Sequence, residues 1–352
     1  MTTALGEPLA HDAHDAVVPA PGPAADLVPA AEPGPATTPA PAAAAGPAAG
    51  PDAARALLPE EWLPLAAAHA ARADALTAVW REARAAGRKH AVEDFLFTYY
   101  PTRIAHLRRW HPGPGVALRL PDDAGPDADD RRTWRWHVTT GDAVTLDLGA
   151  FLADRGDTVR YVRELLTATA SRPGTFGCFG LHEWAMVYRD REAGRDQRHP
   201  LPLRLGHAGT DAVVEANPVR CSHFDAFRFF TPEATGRNLL QPTRATQVGL
   251  EQPGCLHANM DLYKWCLKLG PAVPGDLLLD AFELARDIRW TDMAASPYDV
   301  SEYGVAAVPI ETPQGKAEYV RRQRAFAERS AALRHRLVAV CDAVLDGQPA
   351  AR

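Results

Sequence analysis

The chain has 352 residues and a formal net charge of −6, but residues 1–60 hold seven acids and one base, so the remainder is balanced. A balanced body excludes binding to nucleic acid by bulk charge alone, though it permits a local basic groove. Five cysteines in no CxxC spacing exclude a disulfide scaffold or a zinc ribbon, and no apolar run approaches the ~20 residues that span a bilayer.

Residues 1–52 contain 11 of the 31 prolines, long Ala/Gly runs and almost no aromatic side chains. Such a tract cannot bury enough apolar surface to offset the entropy of ordering, so a disordered tail is expected to about residue 58. The N-terminus lacks a basic region followed by an apolar stretch, which argues against a secretory signal and for the cytoplasm. A single catalytic domain over 59–346 follows, with enough chain to bury a substantial core.

Glu60 to Arg88 reads as one long helix, with Leu63, Ala66, Ala67, Ala70, Leu76 and Trp80 as its apolar stripe and Gly87 as its stop. Residues 90–110 read as a second helical region interrupted near Pro101. Thr133–Val138 and Ala143–Leu148 alternate apolar and polar around Gly141-Asp142, which predicts a hairpin with a turn longer than two residues. Asp154–Ser171 is helical, with Val159, Val162, Leu165 and Leu166 inward. Residues 172–250 are rich in Gly, Pro and turn formers and predict short elements joined by long loops. Helices then follow over His257–Leu269, Asp276–Met293 and Thr312–Leu345. The fold class is mainly α (α+β): helical, with a small β element and a loop-rich central region.

Three blocks carry the chemistry: Cys178-Phe-Gly-Leu-His182-Glu183-Trp184, Cys221-Ser-His223-Phe224-Asp225-Ala-Phe227-Arg228, and Cys255-Leu-His257-Ala-Asn259-Met-Asp261-Leu-Tyr263-Lys264-Trp265. Ionisable groups among large rings are costly to bury unless paired, bound to metal or used in chemistry. His257 and Asp261 stand at i and i+4 on a helix, with Lys264 near that face. They form a metal pair, a carboxylate that orients a catalytic imidazole, or a local bond that knits helices together. His182 and Glu183 are sequential and point in different directions, so one of them enters a pocket. Glu183 beside Trp184 is a candidate general acid or base, or else an ion-pair partner of an arginine such as Arg189. His223 and Asp225 share a face if the segment is a strand.

His182, His223 and His257 with Glu183, Asp225 or Asp261 would suit zinc or non-haem iron, although their spacing matches no compact signature. The cysteines read as small buried thiols. Asp280, Glu283 and Asp287 form a solvated acidic face, and Asp292, Ser296, Tyr298 and Asp299 surround Pro297 in a turn-rich end. The clusters Arg103/Arg108/Arg109, Arg131/Arg132/Arg135 and Arg321/Arg322/Arg324 read as solvated faces paired with acids, or as parts of a basic groove.

The segments Glu93–Tyr100, Leu107–Gly113, Phe179–Tyr188, His223–Phe230 and Gln252–Trp265 resemble an actinobacterial family usually labelled 3-methyladenine DNA glycosylase, over about residues 60–345. The chain lacks a recognisable helix–hairpin–helix Gly-rich turn followed by a catalytic Asp. The resemblance implies hydrolysis of the N-glycosidic bond of an alkylated purine in DNA, without a cofactor. An enzyme of that kind flips the base, stacks the cationic ring and positions a water. Residue chemistry would then give Glu183 or Asp225 the water and let His223 or His257 orient it, with Asp261 behind. Trp184, Tyr188, Phe224 and Phe227 would stack the base; Lys264 would bind substrate; Arg103, Arg108, Arg109 and Arg244 would hold phosphates. The residues themselves equally support a His/carboxylate metal-dependent hydrolase or oxygenase with a small or nucleobase-like substrate, or a binding protein whose His/acid pairs are structural.

Overall fold

The computed structural model describes residues 55–121, 131–194 and 199–347. The Pro/Ala-rich tract 1–52 lies outside the described residues. The stretch expected to belong to the tail nevertheless ends earlier than residue 58, because Arg55–Leu57 forms strand β1. It pairs in parallel with β2 (Val116–Arg119), and β3 (His137–Thr140) and β4 (Ala143–Leu146) complete a sheet of order β1-β2-β4-β3. The predicted hairpin is present, with two corrections. Its turn has only two residues, Gly141-Asp142, since Thr140 pairs directly with Ala143. Gly141 adopts φ 60°, the left-handed geometry that matches such a turn to strand twist. The first strand begins at His137, because Arg131–Thr133 coils into a tight helical turn.

The expected Glu60–Arg88 helix is divided into α1 (Pro59–Leu76) and α2 (Ala78–Ala85). At the break, the buried Thr77 hydroxyl donates to the Ala73 carbonyl at 2.8 Å, a local bond that competes with helical continuation. The buried face is Trp62, His69 and Ala73, whereas Leu63 is 44% exposed. Trp62 instead joins Leu57, Leu118 and Val144 in a small core under the sheet. Short helices α3 (Phe95–Thr98) and α4 (Ile104–Leu107) flank Pro101 as predicted.

Helix α5 (Leu148–Ala170) starts before the predicted Asp154, because the Asp147 carboxylate accepts the Ala150 N–H at 2.9 Å and caps it. The central region folds into short helices: α6 (Leu181–Ala185), α7 (Gly206–Ala216), α8 (Phe224–Phe227), α9 (Pro232–Thr235) and α10 (Gln247–Leu250). Then come α11 (Leu256–Leu269), α12 (Gly275–Ala295) and α13 (Pro313–Asp346), close to their predicted limits. Among the described residues, no helix is long and apolar enough to cross a membrane.

Helix α11 packs against α12, α13 and α5, so it has almost no solvent face. Polar groups on it need internal partners. Asn259, fully buried, donates to the Pro253 carbonyl at 2.9 Å and accepts from Ser330 Oγ at 2.9 Å and Arg334 at 2.6 Å. Gln323 of α13 donates to the Gly254 carbonyl at 2.5 Å. Gly254 is required there, since a Cβ would stand 2.4 Å from the Thr175 carbonyl oxygen. These contacts fix the start of α11.

Burial depresses the Arg334 guanidinium to about 10, and Asn259 holds it. Replacing Asn259 with Leu should therefore strand a buried cation and cost about 3–5 kcal/mol in urea unfolding. A loss below about 1 kcal/mol would show that Arg334 finds other partners.

Candidate metal centre

The first block reaches the interior through a forced turn. Phe179 and Gly180 both adopt left-handed backbone, φ 50° and 74°, and Gly180 opens α6. A Cβ at Gly180 would approach Tyr319 at 3.3 Å. The single turn of helix that follows buries both His182 and Glu183. Helix α11 adds His257 and α12 adds Asp292. One ligand atom from each of these four residues lies within 4.8 Å of the others, and all four are buried. Of the two, only Glu183 lines the cleft, as expected, while the buried His182 ring still lies within the donor group.

His182 Nε2 is 3.1 Å from Asp292 Oδ1, and its Nδ1 is 3.4 Å from Cys178 Sγ. Burial opposes charge on the His182 ring, but Asp292 and Cys178 outweigh it and hold its pKa well above the usual imidazole range. His257 behaves oppositely. Burial and the neighbouring His182 hold its pKa far below that range, so it is a neutral imidazole. Its ring packs against His182, with centroids 4.4 Å apart, and against His223 at 5.4 Å. No hydrogen bond reaches the His257 ring from the described residues. Glu183 accepts from Arg289 Nη1 at 3.2 Å, and the same nitrogen lies 3.8 Å from Asp292. Among the described residues an arginine does reach Glu183, but it is Arg289 rather than Arg189, which pairs with Glu215 at 2.8 Å.

Behind this centre lies a second buried group. His223 caps α8, its Nδ1 accepting the Ala226 N–H at 3.2 Å. The strand geometry considered for His223 and Asp225 therefore does not occur. His223 Nε2 lies 3.3 Å from Asp261 and 3.5 Å from Glu251. Asp261 also accepts from Tyr100 at 3.0 Å and Lys264 at 2.9 Å, and Lys264 bridges on to Asp225. Burial opposes ionisation of Asp261, but Lys264 and His223 hold its pKa below the usual carboxylate range. Lys264 and His223 thus occupy the cation positions of this group. The pairing predicted for His257 and Asp261 is not made: Asp261 turns to Tyr100, His223 and Lys264.

The front of the centre opens into a cleft of about 680 Å³. Glu183, His257, Arg289 and Asp225 line it, with rings from Phe95, Tyr99, Phe229, Tyr298 and Tyr303. The rings expected from sequence lie elsewhere. Trp184 is fully buried with its Nε1 on the Ala295 carbonyl at 2.9 Å. Tyr188 bonds Glu215 at 2.9 Å, Phe227 packs on Phe230, and Phe224 does not line the cleft. The expected phosphate-binding arginines are also absent from its lining. Arg108 faces Asp74 at 3.4 Å, Arg109 stacks on Trp134, and Arg244 donates to Gln247 at 2.8 Å. Arg131 is not part of a solvated basic face: it is 2% exposed, beside the rings of Trp62 and Trp134. The cysteines are free, and burial pushes the Cys221 and Cys255 thiols up.

Asp292 and Arg289 were missed because their segment reads as the approach to a turn. The signal was present: Asp292 continues the 281–285–288 stripe of α12, so a carboxylate falls where an apolar residue belongs.

The Asp261 shift has a definite sign. A depressed pKa contributes stability above the unfolded value of ~3.9, and that stability is lost as pH falls toward the folded value. Denaturant midpoints of the wild-type protein should therefore drop as pH goes from about 5 toward 3, and Asp261→Asn should flatten that limb. Equal slopes for the two proteins would remove Asp261 from the acid response.

Compared with known proteins, the chain matches no family model, no curated protein and no solved structure. The functional reading therefore rests on the site's chemistry.

Proposed function

We propose that the chain is a metal-dependent enzyme that uses His182, Glu183, His257 and Asp292 to hold one divalent transition metal, zinc or iron, beside a small-molecule cleft. The carrying observation is His257. It is a buried neutral imidazole without a hydrogen bond to its ring, set among three further donor groups and facing the cleft. A buried ring of this kind is what a metal ligand looks like without its ion. Two imidazoles and two carboxylates suit zinc or non-haem iron.

When bound, such an ion supplies Lewis-acid or redox chemistry at the cleft floor. The chain's own residues do the rest. Asp292 faces His182 Nε2 at 3.1 Å, and the two side chains would hold the ion together once the imidazole is deprotonated. Arg289 neutralises part of the carboxylate charge, and the wall of rings excludes water and packs a flat substrate. Asp225 presents a carboxylate on the cleft, held in place by ion pairs to Lys264 and Arg228.

The glycosylase reading implied by the resemblance needs cations along a phosphate path, and the arginines expected for that role do not line the cleft. Elemental analysis of tag-free protein separates the two readings. About one equivalent of zinc or iron per chain is expected, falling to background in His257→Ala and Asp292→Asn. His257→Ala should still unfold cooperatively, with a melting temperature near that of wild-type protein stripped of metal. Metal-free protein that releases free 3-methyladenine from methylated DNA would overturn the metal reading and establish the glycosylase.

A further inference from the structure

We infer that Arg289 is the recognition point for a substrate carboxylate, so that the cleft takes a flat aromatic acid with its carboxylate beside the metal centre. This rests on the proposed function for the identity of the neighbouring centre, but the anion site stands on its own geometry.

Arg289 is 4% exposed and its guanidinium lies 4.2 Å over the Phe95 ring. Stacking fixes the plane of the fork. Both contacts to Glu183 and Asp292 run through one nitrogen, Nη1. Nε is buried without a hydrogen-bond partner, and Nη2 makes no ion pair among the described residues. The side-on edge of a guanidinium, Nε with one Nη, is the edge that binds a carboxylate through two parallel hydrogen bonds. A buried arginine that leaves this edge unfilled carries a desolvation cost that a bidentate ligand would offset.

The surroundings fit the same ligand. Phe95, Tyr99, Phe229, Tyr298 and Tyr303 line the cleft, which at about 680 Å³ lies in the range of ordinary small-molecule sites. Lys89, exposed at the rim, adds a second cation. Of the cleft acids, Asp225 is answered by Lys264 and Arg228, while Asp94 accepts the His90 N–H at 3.2 Å with Arg84 at 3.8 Å. Glu302 on the rim is the acid that would favour a cationic ligand instead, which makes the charge of the ligand the point to test.

The experiment is calorimetric titration of the full chain with benzoate, benzylamine and inorganic phosphate, with metal content measured on each sample. Benzoate should bind and benzylamine should not. Arg289→Lys, which keeps the charge but not the fork, should weaken benzoate about tenfold or more while retaining its metal and melting temperature. Lys89→Ala controls for a general charge effect and should weaken benzoate less than Arg289→Lys. Benzylamine binding as tightly as benzoate, phosphate binding without benzoate, or wild-type affinity in Arg289→Lys would each overturn the proposal. Benzoate bound by metal-free protein and lost in Arg289→Lys would leave the anion site intact and sink only the metal reading. Metal present without benzoate binding would do the reverse.

Discussion

Helix α11 lies inside the protein, and it carries an imidazole, an amide, a carboxylate and an ammonium. Each of those groups costs several kcal/mol to bury alone. Much of the surrounding architecture answers that cost. Helix α13 brings Ser330 and Arg334 to Asn259; Tyr100, just after α3, reaches Asp261; α8 brings Asp225 to Lys264. The partners come from residues 100 to 334, so the polar groups of one helix tie distant segments to one register. His257 is the member of the set whose ring receives no hydrogen bond, and it is also the one that faces the cleft.

This asymmetry distinguishes the two buried charge groups. Around Asp261, Lys264, His223 and a tyrosine hydroxyl meet the carboxylate. Around His257, two carboxylates face one charged imidazole and one arginine that is only partly engaged. The first arrangement locks packing. The second gathers four donor groups within 4.8 Å of one another at the cleft, as ligand-binding centres do. Stacking of His223 on His257 joins the two, so the Asp261 group braces the ring that faces the cleft.

The long helices were legible in sequence because their apolar periodicity and caps agree: Thr312 caps α13, and Gly270 ends α11. Local chemistry that periodicity does not register set the errors. Thr77 splits a helix by bonding its own backbone, and a two-residue turn at Gly141-Asp142 shortens the hairpin. Strand β1 was invisible because three residues after a Pro/Ala tract acquire strand character only by pairing with Val116–Leu118.

The site was half legible for a related reason. Residue type marked His182, Glu183 and His257 as costly to bury, and that cost does not depend on where the chain runs. Which rings face the cleft depends on the orientation of helices only a turn or two long, which no periodicity fixes. Phe229 therefore lines the cleft while Phe227, two residues away, packs on Phe230 instead. Asp292 was hidden differently, since a lone carboxylate in a long apolar stripe reads as the end of the stripe. In α12 the stripe runs on past it through Met293 and Ala295, so the carboxylate must be answered inside the protein. Its partners are His182 and Arg289. A carboxylate that breaks an apolar stripe before the helix ends is thus a sequence signal in its own right, and pairing it with the His-bearing blocks recovers all four donors of the centre.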